Sequence, residues 1–110
     1  MKELDMIKAF AELEGIKVEL VDPDFDSMFY ATIGENKRIE EYNPLLPSAL
    51  NCAARDKYGV TVEYGFSSSC AIYEADKRGL LRLKSSSTFE HQPVSKAVIE
   101  CILKSEGKWK

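Results

Sequence analysis

The chain of 110 residues is 45% apolar and 30% charged, a balance that suits one globular domain of residues 1–110 and argues against disorder. No apolar run approaches the ~20 residues of a membrane span, and the start Met1-Lys2-Glu3-Leu4-Asp5 lacks the cationic and apolar stretches of a secretory signal, so a cytosolic location without a membrane partner is expected. The net charge of −3 is uneven: residues 1–45 hold 5 basic and 11 acidic groups and residues 46–110 hold 10 and 7, a basic excess too weak to argue for nucleic acid.

Residues 2–14 have the pattern of an amphipathic helix. Met6, Ile7, Phe10, Ala11 and Leu13 form the stripe, and Gly15 suits a left-handed cap that Ile16 can close over. Residues 16–21 then alternate, with Ile16, Val18 and Leu20 on one face, which predicts a half-buried strand. Asp22-Pro23-Asp24 turns the chain toward an antiparallel partner at 28–33. A loop follows at 34–37, and residues 38–42 allow a short edge strand.

A proline-led helix is predicted over 47–58, with Leu46, Ala49, Leu50, Ala53 and Ala54 inward and Gly59 at its end. Val60, Val62, Tyr64 and Phe66 alternate with polar residues and glycine as a strand. Residues 70–75 and 80–84 pair around the glycine-containing loop Asp76-Lys77-Arg78-Gly79. Residues 85–92 are expected to form a polar crossover. A second proline-led helix over 93–105, with Val94, Ala97, Val98, Cys101 and Ile102 inward and Ile99 and Leu103 widening the arc, should be the most buried, and Gly107 stops it. Arg82 and Lys84 guard the edge strand 80–84 against pairing, which favours a monomer or a helix-mediated dimer. The predicted class is α+β, an α/β/α sandwich with a mainly antiparallel sheet in the order α-β-β-α-β-β-β-α.

The odd count of three cysteines argues for reduced thiols, and Cys52 and Cys101 are expected as buried apolar residues of the two helices. Asp22, Asp24 and Asp26 open like a calcium loop, but its sixth and twelfth positions hold Ser27 and Ile33 instead of glycine and glutamate. The lone His91 has serines, Thr88 and Cys101 as nucleophiles in sequence only, with no nucleophile elbow. Neither a phosphate-binding glycine loop nor paired zinc-ligand spacing is present, so no cofactor or metal is expected. Glu12 with Glu14 and Glu40 with Glu41 suit solvation better than an acid–base pair. Trp109 is expected to fold back onto the core.

Tyr42-Asn43-Pro44, Ala49-Leu50 with Cys52, Lys57-Tyr58 with Val60, and Pro93 with Ala97-Val98-Ile99 and Cys101 form a string over residues 42–104. It resembles the small bacteriophage and prophage proteins grouped as phage ABA sandwich domains. The resemblance implies an α/β/α sandwich of phage or prophage origin working in the bacterial cytosol, and it carries no catalytic residues to transfer.

The expected function is therefore non-enzymatic: an accessory protein, including a counter-defence one, that binds a host or phage protein. Its candidate surface is the acidic set Asp22, Asp24, Asp26, Glu35, Glu40 and Glu41. One alternative is duplex RNA binding, because residues 47–105 run α-β-β-β-α and Ser95-Lys96-Ala97 is similar to the start of the last helix of double-stranded RNA-binding domains. The other is sequestration of a small molecule or nucleotide, with Arg55, Lys77, Arg78 and Arg82 as anion partners.

Overall fold

The computed structural model describes residues 1–22, 28–33, 38–46, 49–64 and 68–109, with only the backbone of residues 49–51. The elements run α1 (Glu3–Leu13), β1 (Glu19–Val21), β2 (Phe29–Ile33), β3 (Ile39–Glu41), α2 (Ala49–Tyr58), β4 (Val60–Glu63), β5 (Ser69–Ala75), β6 (Leu81–Thr88) and α3 (Val94–Ser105). The class is α+β, as the patterning predicts, and both sheets are antiparallel. The order holds one strand more than expected: β3 falls where the sequence allows a short edge strand at 38–42. The strands divide between two sheets, β1-β2-β3 and β4-β5-β6. They belong to two compact units, Met1–Asn43 and Pro44–Lys110.

In the first unit, α1 buries Met6, Ile7, Phe10 and Ala11 and packs against β2, whose Ala31 is also buried. The helix ends as the glycine predicts. Gly15 takes φ 70°, its N–H bonds the carbonyl of Glu12, and the N–H of Ile16 bonds that of Ala11 at 2.8 Å. This cap explains a departure from expectation. The N–H of Ile16 closes the helix, the strand begins only at Glu19, and Leu20 is exposed instead of facing inward.

In the second unit, α3 supplies the core. Ala97, Val98, Ile99, Cys101, Ile102 and Leu103 are all fully buried, as the wide apolar arc predicts. Its end repeats the α1 cap, with Gly107 at φ 70° and the N–H of Lys108 on the carbonyl of Leu103. Helix α2 meets expectation only in part. Ala54 is buried, whereas Leu46, Cys52 and Ala53 are exposed. Cys52 lies two residues, or ~200° around the helix, from Ala54, so one narrow stripe cannot bury both. The expected helix start at Pro47 lies outside the described residues.

Strand β6 runs to Thr88, which corrects the expected crossover over 85–92. Ser85 and Ser87 are buried, pointing at α3. The Ser85 hydroxyl donates to the Cys101 carbonyl at 2.8 Å and the Ser87 hydroxyl to the Ala97 carbonyl at 2.5 Å. Two residues along a strand and four along a helix both advance about 6–7 Å, so the two bonds match in pitch with the elements antiparallel. The Ser95 hydroxyl bonds the carbonyl of Leu45 and ties the first turn of α3 to the chain before α2.

Candidate functional site

The first unit carries the acidic residues. Asp22 is exposed after β1, and Glu40 and Glu41 are exposed on β3; Asp24, Asp26 and Glu35 lie outside the described residues. Adjacent strand residues face opposite ways, and the pairing bears this out: Glu41 is level with Ala31 and Glu40 with Thr32. Ala31 is also level with Glu19, so Glu19 and Glu41 flank the buried Ala31 in one row while Glu40 points to the other face. Glu19 belongs to the row through a register that no local pattern reveals. A cleft of roughly 170 Å³ lies between Glu3, Leu4 and Ile7 of α1 and Met28, Tyr30 and Glu41. That is smaller than the ~300 Å³ at which pockets begin to enclose drug-sized ligands.

The buried thiols belong to the second unit. Burial, and next the neighbouring Cys101, push the Cys70 thiol up to about 11, and burial pushes Cys101 up as well. The Cys101 sulfur lies 3.3 Å from the Ser85 oxygen and also reaches the Ser85 carbonyl. A thiol held protonated in this way is a poor nucleophile at neutral pH. Its contacts bind sheet to helix. His91 is exposed, and among the described residues it makes no hydrogen bond to a serine or cysteine. Also among the described residues, no three His, Cys, Asp or Glu side chains are grouped to hold a metal, and no helix is long and apolar enough to cross a membrane.

The β5–β6 hairpin offers the most distinctive surface. Asp76 organises its tip by accepting the backbone N–H groups of Arg78 at 2.8 Å and Leu80 at 2.9 Å. Gly79 takes φ 81°, the left-handed position of a three-residue hairpin loop, as its placement predicts. Lys77 and Arg78 are exposed on this loop, and Arg82 lies 3.5 Å from Asp76 with most of its side chain in water.

Below the tip the ladder slips. Ile72 is level with Ser85 but Tyr73 with Leu83, so Lys84 has no opposite residue and forms a bulge. The slip lets Ser85 face α3 while Leu83 shares the opposite face with Tyr73, and Leu81 follows beside Ala75. The result is an apolar surface on one face at the sheet margin: Tyr73 is 42% exposed, Leu83 57% and Leu81 72%; Leu80, one residue before Leu81, is 61% exposed beside the loop. The candidate basic residues Lys77, Arg78 and Arg82 are thus brought together around exposed leucines. Arg55 lies on α2, outside the hairpin. Searches with the whole sequence and structure find no matching protein-family model, no similar curated protein and no similar solved structure.

Proposed function

We propose that this protein acts by binding a partner protein and makes or breaks no bonds, as an accessory protein of a bacteriophage or prophage in the host cytosol. The observation that carries the reading is the set Tyr73, Leu81 and Leu83, in water on one face of the β5–β6 hairpin. Exposed apolar groups gathered beside charge are a common mark of a contact surface. The resemblance to phage ABA sandwich domains supports it, since residues 42–104 nearly coincide with the second unit. The protein is a monomer or a helix-mediated dimer, and a counter-defence role would set the acidic first unit against a basic host protein. The test compares capture from bacterial lysate by the natural chain and by the Leu81→Ser, Leu83→Ser variant. A partner held by the first and lost from the second is expected; equal capture by both overturns the reading.

A second reading is duplex RNA binding, favoured by the run α2-β4-β5-β6-α3 within one unit. Such binding needs lysines that track phosphates, and here Lys57, Lys77 and Lys96 stand on separate elements. Retention of the chain on duplex RNA that weakens steeply with salt supports this reading, and no retention at low salt removes it.

A further inference from the structure

We propose that the outer edge of β6 at Leu81–Leu83 is a docking strand for an extended segment of a partner protein in which apolar and acidic residues alternate. This rests on the protein-binding reading above and specifies its partner. Sheet β4-β5-β6 ends at β6, and among the described residues no strand pairs with that side.

The direction of the backbone follows from the ladder. The N–H of Asp76 bonds the carbonyl of Leu80 and the N–H of Phe89 bonds that of Ser68, so both pairs are of the hydrogen-bonded kind. Hydrogen-bonded and non-bonded pairs alternate along antiparallel strands. Counting from the tip, Arg82 turns its polar groups inward to Glu74, while Leu81 and Leu83 turn both their N–H and both their C=O groups outward. Toward the other end, the carbonyl of Ser86 is already taken at 3.3 Å by the Lys104 ammonium, the lysine guard common on edge strands. The open stretch is therefore the one that also carries the exposed leucines.

Charge selects the occupant. Residues 74–84 hold four cations, Lys77, Arg78, Arg82 and Lys84, against the carboxylates of Glu74 and Asp76. A second copy added antiparallel through Leu83 would set Arg82 opposite the other copy's Lys84, and like charges across a ladder destabilise it. An incoming strand with apolar residues level with Leu81 and Leu83 extends the Tyr73–Leu83 row on one face. Its intervening residue lies level with Arg82 and is best acidic. Backbone bonds supply affinity and these alternate side chains supply choice, the general logic of strand addition.

The probe is a peptide of about six alternating valine and glutamate residues, titrated into the full isotope-labelled chain. The Leu81 and Leu83 amides are expected to shift and to exchange with solvent about tenfold more slowly at saturation. Replacing glutamate by lysine in the peptide should weaken binding about tenfold or more. N-methylation of the peptide amides facing β6 should abolish binding, while methylation of those facing away should not. Equal affinity for the lysine peptide, or protection confined to other residues, overturns the proposal. So do the same amide changes produced by protein concentration alone, which assigns the edge to a second copy, or by duplex RNA, which assigns it to phosphates. If no peptide binds yet lysate capture still depends on Leu81 and Leu83, strand addition is wrong and the protein-binding reading stands. If the natural chain and the serine variant capture alike, that reading has failed too.

Discussion

Residues 1–43 and 44–110 each set helix against a three-stranded antiparallel sheet, yet their interiors differ in kind. In the first, β1 and β3 have three residues each and, among the described residues, the sheet buries Ala31 alone. The apolar interior there comes chiefly from α1. In the second, β5 and β6 have seven and eight residues, and Val60, Cys70, Ala71 and Ile72 are buried with Ser85 and Ser87. Strand length decides this. A strand of three residues offers one or two inward positions, whereas one of eight can fill an inner face and still extend past the helix. The second unit uses that excess twice, to bond α3 through serines and to project an apolar hairpin into water.

Interrupting the α3 interior should have the largest effect. Ile102→Ala, at a fully buried position, should cost about 2–5 kcal/mol in chemical denaturation. A loss below ~1 kcal/mol would show that the second unit is not the better packed of the two. The thiols give the next effect. An unfolded Cys70 ionises near its ordinary 9.0 while the buried one holds its proton to about 11. The unfolded state therefore binds fewer protons in that window. Stability should be unaffected by this group below pH 9 and fall by up to about 2 kcal/mol as pH rises toward 11. Denaturation midpoints at pH 8 and 10.5 for the natural chain and for Cys70→Ala measure this, and the variant should show the shallower decline.

Ser85→Ala should cost about 1 kcal/mol, the worth of one buried hydrogen bond, with a similar cost for Ser87→Ala. If each costs nothing, the pitch match between β6 and α3 contributes shape only. The smallest effect is expected at Arg82→Ala, under about 0.5 kcal/mol, since its pairing with Asp76 lies mostly in water. The same variant should weaken capture of the acidic peptide, which separates a role in contact from one in stability.

Much of this architecture was readable from residue order. The α3 stripe, the caps at Gly15 and Gly107 and the loop at Gly79 depend on neighbours within a few positions, and periodicity or a required left-handed backbone reveals them. Ser85 and Ser87 were not readable as strand residues, because the carbonyls that make their burial favourable come from α3, sixteen and ten positions away. The acidic surface was half readable. Period two alone separates Glu40 from Glu41, but only the register through Ala31 brings Glu19 level with Glu41. The bulge was not readable, because basic residues spaced by one, Arg82 and Lys84, suit unbroken alternation just as well.

The bulge at Lys84 is not a parity switch. Because one surplus residue separates the serine half of β6 from its leucine half, deleting residue 84 would restore strict odd–even alternation. Ser85 would still oppose Ile72 and Leu83 would still oppose Tyr73, so the serines would keep the helix side and the leucines the water. The surplus position could thus vanish in one deletion without turning either face: the oil at the tip is tied to its pairing with β5, not to the count of residues along β6.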